Sequence, residues 1–148
     1  MKLDSITKWH GQREIECVTG DVTDSASLKK ALEGVDIVFH MVGIIHPKRI
    51  SDLYAINTQG TENMLAASAA AGVKRFVHIS SNSVAGCNRD ANQWFTEEDP
   101  PNPYFNYGVS KYKAEEAVKR YQKEAKLETV ILRPCWYYGP NQPPRQST

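Results

Sequence analysis

Cysteine is scarce and carries no pattern. Cys17, Cys87 and Cys135 are odd in number, far apart and free of any Cys-x-x-Cys. That spacing argues for reduced thiols in a cytoplasm rather than a disulfide framework or a thiolate zinc site. Long apolar runs are missing too. No stretch approaches the ~20 residues a membrane-spanning helix needs, and the opening MKLDSITKWHGQRE holds no signal-peptide core. Neither sign of charge prevails: 18 Lys and Arg against 17 Asp and Glu leave a formal net charge of +1. Electrostatics therefore recommend neither nucleic acid nor an anionic membrane as partner. Internal repeats and low-complexity tracts are absent as well.

What is present is a single-domain length, 148 residues, enough to bury about two-thirds of the unfolded surface. Apolar runs of strand length alternate with amphipathic segments of helix length. EIECV (14–18) reads as a short strand, followed by the turn TGD. Asp24 is placed to cap a helix through Leu28, Ala31 and Leu32, which Gly34 ends. VDIVFHMV (35–42) is nearly continuous and β-branched, the pattern of a strand covered on both faces. A long helix fits residues 51–71, with Gly72 closing it, and KRFVHIS (74–80) is the next strand. Residues 82–103 lack a period and predict a long loop. A helix over about 107–125 and a strand ETVILRP (128–134) follow. This alternation predicts βαβ crossovers and a parallel sheet, in which ligands sit beyond the carboxyl ends of the strands. Asp21, Gly43, Ser80 with Ser81, and Pro134 with Cys135 all fall there.

Tyr107 and Lys111 stand one helical turn apart in NYGVSK, so their side chains share a face. A free phenol, with a pKa of about 10, is a poor base at neutral pH. A cation ~4–5 Å away, at an effective dielectric near 20, favours the phenolate by ~3–4 kcal/mol at most. Such a phenol acts as general acid or base, with Ser81 holding the substrate oxygen while its proton moves. Plainer readings stand beside this one. Ser80 and Ser81 also suit a solvated strand end, His40 and His78 suit packed core histidines better than metal ligands, and Gly60 suits a helix-packing contact. Trp136 and Tyr137 suit ordinary core or rim aromatics.

Six segments in register resemble the extended short-chain dehydrogenase/reductase family, the group of sugar-nucleotide epimerases and 3β-hydroxysteroid dehydrogenases. GDVTD (20–24) is similar to its adenine-side turn, and VFHMVG (38–43) to the strand end beside the nicotinamide. YAINTQGTENML (54–65) resembles the Asn-x-x-Gly-Thr helix, ISSNSVAG (79–86) the serine segment, YGVSK the Tyr-x-x-x-Lys, and LRPCWYYGP (132–140) the closing strand and turn. The resemblance implies Ser81, Tyr107 and Lys111 as catalytic residues, Tyr107 exchanging a proton while hydride moves. It implies NAD or NADP as cofactor, held by Asp21, Val22, His40, Met41, Val42, Gly43, Asn57, Ser80, Tyr107, Lys111, Pro134 and Cys135. Gly60 would also lie close to it. No metal is implied.

The family's Gly-x-x-Gly-x-x-Gly, whose amides cradle the pyrophosphate, appears nowhere in the chain. The expected fold is therefore α/β: an incomplete Rossmann-type doubly wound parallel sheet of about four strands, its first βα unit or units missing. Residues 1–148 would form one partial NAD(P)-binding domain, an internal fragment of a longer oxidoreductase or epimerase. EIECV would then pair with VDIVFHMV, detach, or pair with another chain, and an open apolar edge would favour a homo-oligomer. The substrate would be a small molecule of the steroid-like alcohol or nucleotide-sugar class. Ser81-Asn82-Ser83, in place of Thr-Asp-Glu, argues against dehydration, and Ser-Ser-x-x-Val-Ala-Gly looks closer to the 3β-hydroxysteroid dehydrogenase-like branch. Trp136, where many sugar epimerases have Asn, argues against a nucleotide-sugar. The rival reading is a non-catalytic interaction protein keeping a truncated fold.

Overall fold

The computed structural model describes residues 16–135, apart from 89, 91 and 93. Helix α1 (Ser25–Ala31) starts where the Asp24 carboxylate accepts the Ala26 N–H at 3.1 Å, and the chain leaves it through Gly34 at φ +73°. Strand β1 (Ile37–His40) follows. The next helical rod has three pieces: α2 (Ile50–Leu53), a π turn (Tyr54–Gln59) and α3 (Gly60–Ala70). β2 (Arg75–Ile79) leads through a 3-10 turn (Asn82–Val84) and a loop to α4 (Phe105–Lys123), and β3 (Glu128–Leu132) closes the described chain.

All three strands are parallel, in the order β1-β2-β3. The register places Val38, Phe76 and Thr129 side by side, and next to them His40, His78 and Ile131. This face is covered. Val38 and Phe76 pack with Leu65 of α3 and with Ala117 and Val118 of α4 to make the core, which Leu32, Val73 and Leu127 complete. Full burial of each large apolar side chain stabilises by about 1.5–3 kcal/mol.

The other face differs from expectation. Phe39 is 62% exposed, and Ile37, Val130 and Leu132 are exposed with it. A continuous apolar run records a strand suited to cover on both sides, but among the described residues the helices lie on one. Among the described residues the strand expected at EIECV is not seen either. Residues 14 and 15 lie outside the described ones, and residues 16–18 belong to no strand. Propensity in so short a segment holds no strand without a partner ladder. β1 is consequently an edge of the described sheet.

Gly60 has a packing reason. A Cβ there would stand 2.6 Å from Val22 Cγ2, so only glycine admits the buried Val22 side chain against α3. Among the described residues no helix is long and apolar enough to cross a membrane.

Candidate active site

The carboxyl ends of β2 and β3 stay in step past their last ladder residues. Ser80 N–H donates to Leu132 O at 2.7 Å, and Asn82 N–H to Pro134 O at 3.2 Å. Ser81 then caps the 3-10 turn. Its Oγ accepts from Ser83 N–H at 3.2 Å and from Ser83 Oγ–H at 2.9 Å. With both lone pairs taken, the Ser81 proton is left to point outward. It has a long contact to Asn82 Oδ1, 3.4 Å, and the Ser81 hydroxyl pulls the nearby Tyr107 phenol toward a lower pKa.

That nearness depends on how closely α4 approaches. A Cβ on Gly108 would meet Ser83 O at 2.8 Å, so the glycine beside Tyr107 lets the helix rest directly on the serine turn. The helix begins under strain, since Phe105 has φ +52°, a region bulky side chains rarely adopt. Ser110 Oγ–H donates to Tyr107 O at 2.7 Å.

One turn along, the Lys111 ammonium is only 3% exposed and donates to Ile79 O at 2.8 Å. Burial pulls its pKa down to about 8, with the Glu115 carboxylate pulling the other way. Burial also pushes the half-buried Tyr107 phenol up, against the pull of the Ser81 hydroxyl. The expectation that Lys111 lowers the phenol is therefore not met. Its charge is directed at a carbonyl at the end of β2, and desolvation of the phenolate outweighs what Ser81 contributes. The serine turn and the start of α4 lie against each other, and Lys111 holds the strand end from which Ser81 springs.

The residues expected around a nicotinamide cofactor are arranged less uniformly. Beyond β1, Met41 is 73% exposed, and Val42 and Gly43 are exposed beside it. Asn57 is fully buried in the π turn. Its Oδ1 accepts Ile44 N–H at 2.8 Å, and its Nδ2 donates to Ile44 O and to Ser110 Oγ, both at 3.0 Å. It shapes the segment after β1 and ties it to α4. Ser80 Oγ is buried without a partner among the described residues.

His40 and His78 are packed in the core, their rings stacked 5.7 Å apart. Thr61 Oγ–H donates to Asn57 O at 2.7 Å, so His40 donates its own Nε2–H to Thr61 Oγ1 at 3.0 Å. Asp21 is exposed in its turn. Thr23, first through its N–H and then its hydroxyl, holds the Asp21 carboxyl below its ordinary value. Pro134 and exposed Cys135 follow β3, while Trp136 and Tyr137 lie outside the described residues. An exposed apolar strand end at 41–43, facing no competing side chain at Gly43 except the Asn57 amide, fits a planar ring with a ribose beside it. Gly108, Ser110 and Glu115 were not singled out from the sequence, and Ser83 entered only as one of the residues in place of Thr-Asp-Glu. Only the glycine one residue into the Tyr-x-x-x-Lys helix offered a signal.

Comparison with known proteins gives the family and the fold. The model of a family described as the NAD dependent epimerase/dehydratase family matches residues 3–148. An uncharacterised protein of Sinorhizobium fredii is 43% identical over 136 residues, 90% of this chain and 38% of its own. The UDP-glucose 4-epimerase of Vibrio cholerae is 34% identical, with 82% of this chain and 39% of its own covered. A double mutant of the dTDP-glucose 4,6-dehydratase DesIV from Streptomyces venezuelae, crystallised with NAD bound, superposes with a TM-score of 0.79 at 34% identity, over 85% of this chain and 40% of that one. The chain spans about two-fifths of the length of each of these relatives.

Proposed function

The chain belongs to the NAD dependent epimerase/dehydratase family, and on that premise we propose that it is the proton-transfer part of a nicotinamide-dinucleotide-dependent oxidoreductase or epimerase. Its substrate is a secondary alcohol or carbonyl carbon of a nucleotide-sugar. The observation that carries this reading is the seat of the Tyr107–Lys111 helix on the serine turn at the carboxyl end of β2, with Gly108 against Ser83 O and the buried Lys111 ammonium donating to Ile79 O. The nucleotide-sugar class is favoured over the steroid-like one by the epimerase and dehydratase relatives.

In this reading Tyr107 takes or returns the hydroxyl proton. Ser81, whose lone pairs are filled by Ser83, donates its proton to the substrate oxygen or to the phenolate. Met41, Val42 and Gly43 would hold the nicotinamide end of the cofactor, with Lys111, Ser80, Pro134 and Cys135 around its ribose, and Asp21 and Val22 toward the adenine. His40 and Asn57, both fully buried, would serve by shaping that wall. The bound cofactor supplies hydride exchange and, when oxidised, a positive ring that favours the phenolate. Residues 1–148 would be one partial nucleotide-binding domain, a reading supported by the share of each relative that the chain spans.

The test uses the whole protein that carries this segment. Saturable NADH or NADPH binding is expected, and Tyr107→Phe should lower turnover by roughly 10²–10⁴-fold while NADH still binds. The 148-residue chain alone should bind NADH weakly, for want of a pyrophosphate cradle. If the whole protein binds neither nucleotide, a non-catalytic interaction protein becomes the better reading.

A further inference from the structure

Beneath the reacting helix lies an ion pair that proton transfer itself does not use. Glu115 stands one turn beyond Lys111 on α4 and is 0% exposed. Both its oxygens are taken by one guanidinium: Arg133 Nε donates to Oε1 at 2.9 Å and Nη2 to Oε2 at 2.7 Å. Arg133 is the first residue after β3, and Lys111 donates to the last residue of β2. One helix face is thus fastened to two adjacent strand ends by a cation, an anion and a second cation in sequence.

A forked, buried pair of this kind fixes roll as well as distance. Burying Lys111 also needs a countercharge, because a lone ammonium at this depth is strongly disfavoured. The titratable groups that face Lys111 are His40 on β1, His78 on β2 and Glu115 on its own helix. Both imidazoles are neutral near pH 8, which leaves Glu115 as the anion among them.

Resting on the function proposed above, we infer that Glu115 and Arg133 are positioning residues for Lys111: the carboxylate keeps the buried ammonium charged, and the guanidinium keeps the carboxylate aimed. Arg133 holds the carboxylate while partly offsetting its field, and Glu115 acts only through Lys111.

The experiment follows the lysine side-chain nitrogens of the full 148-residue chain by 15N NMR across the alkaline range, with no nucleotide present. A failure of cofactor binding therefore cannot be mistaken for a failure here. Glu115→Gln should move the Lys111 midpoint down by roughly one pH unit, and Glu115→Asp, which keeps the charge, should restore most of it. Arg133→Gln should not lower the midpoint, because it leaves the carboxylate's field less compensated. A purely structural clamp would give the same downward shift, or none, in both single variants, and either result overturns the inference. If the single variants do not fold, Glu115→Gln/Arg133→Gln strands neither of the two paired charges and must still show a lowered midpoint, by less than the loss of Glu115 alone, since the nearer carboxylate outweighs the guanidinium. An unchanged one would overturn the inference equally.

Discussion

At the scale of single residues, the paired imidazoles under the site couple folding to pH. Burial first, and the nearby Lys111 charge second, take His40 from 6.5 down to about 4 and His78 down to about 2. A histidine whose folded pKa is depressed contributes its full stability above about pH 6.5 and loses it as the pH falls toward the folded value. Between pH 7 and pH 5 each loses about 2 kcal/mol, so the pair loses about 4. Urea unfolding at a series of pH values should show that fall, and His78→Leu should shrink it. A flat profile from pH 7 to 5 would contradict the packed, neutral assignment. The sequence did place both rings correctly, because each interrupts an otherwise apolar strand without neighbours of metal-ligand spacing. It did not disclose what faces them. Thr61 and Lys111 reach His40 and His78 only after two crossovers have folded.

At the scale of elements, two helix ends invite comparison. After α3, Val73 N–H reaches Ser68 O at 3.0 Å and Gly72 N–H reaches Ala69 O at 3.2 Å, with Gly72 at φ +74°. After α4 the same two bonds recur, Lys126 N–H to Tyr121 O and Ala125 N–H to Gln122 O, both 3.0 Å, but an alanine occupies φ +52°. Glycine avoids the left-handed penalty. Ala125→Gly should therefore stabilise the fold by about 1 kcal/mol, read as a rise in melting temperature; a fall would mean the cap geometry differs.

Gly108 predicts the reverse. Gly108→Ala forces a methyl to 2.8 Å from Ser83 O and should cost on the order of 2 kcal/mol. A variant as stable as the parent would show that α4 does not rest on the serine turn. Helix boundaries announced by Asp24, Gly34 and Gly72 were legible because those residues act locally. Two things were not. The π turn at 54–59 has no residue signature, and the Glu115–Arg133 fork joins positions 18 apart.

At the scale of the whole molecule, the sheet is covered on one side among the described residues. Ile37, Phe39, Val130 and Leu132 form an exposed apolar strip beside a β1 edge that no described strand pairs, and such surfaces drive association. The melting temperature of the 148-residue chain should depend on protein concentration, and Phe39→Glu should weaken that dependence. A sharp, concentration-independent melt of a monomer would contradict it. Sequence reading expected the open edge but assigned β1 cover on both faces, since an apolar run looks the same whether or not its second cover is at hand.

The placement of the polar groups gives that bare side a further meaning. Lys111, Glu115 and Arg133 fasten α4 to the strand tips from the clothed side, by bonds that never cross the naked surface. A partner that dresses that surface therefore meets none of these bonds, and its loss or exchange leaves them in place.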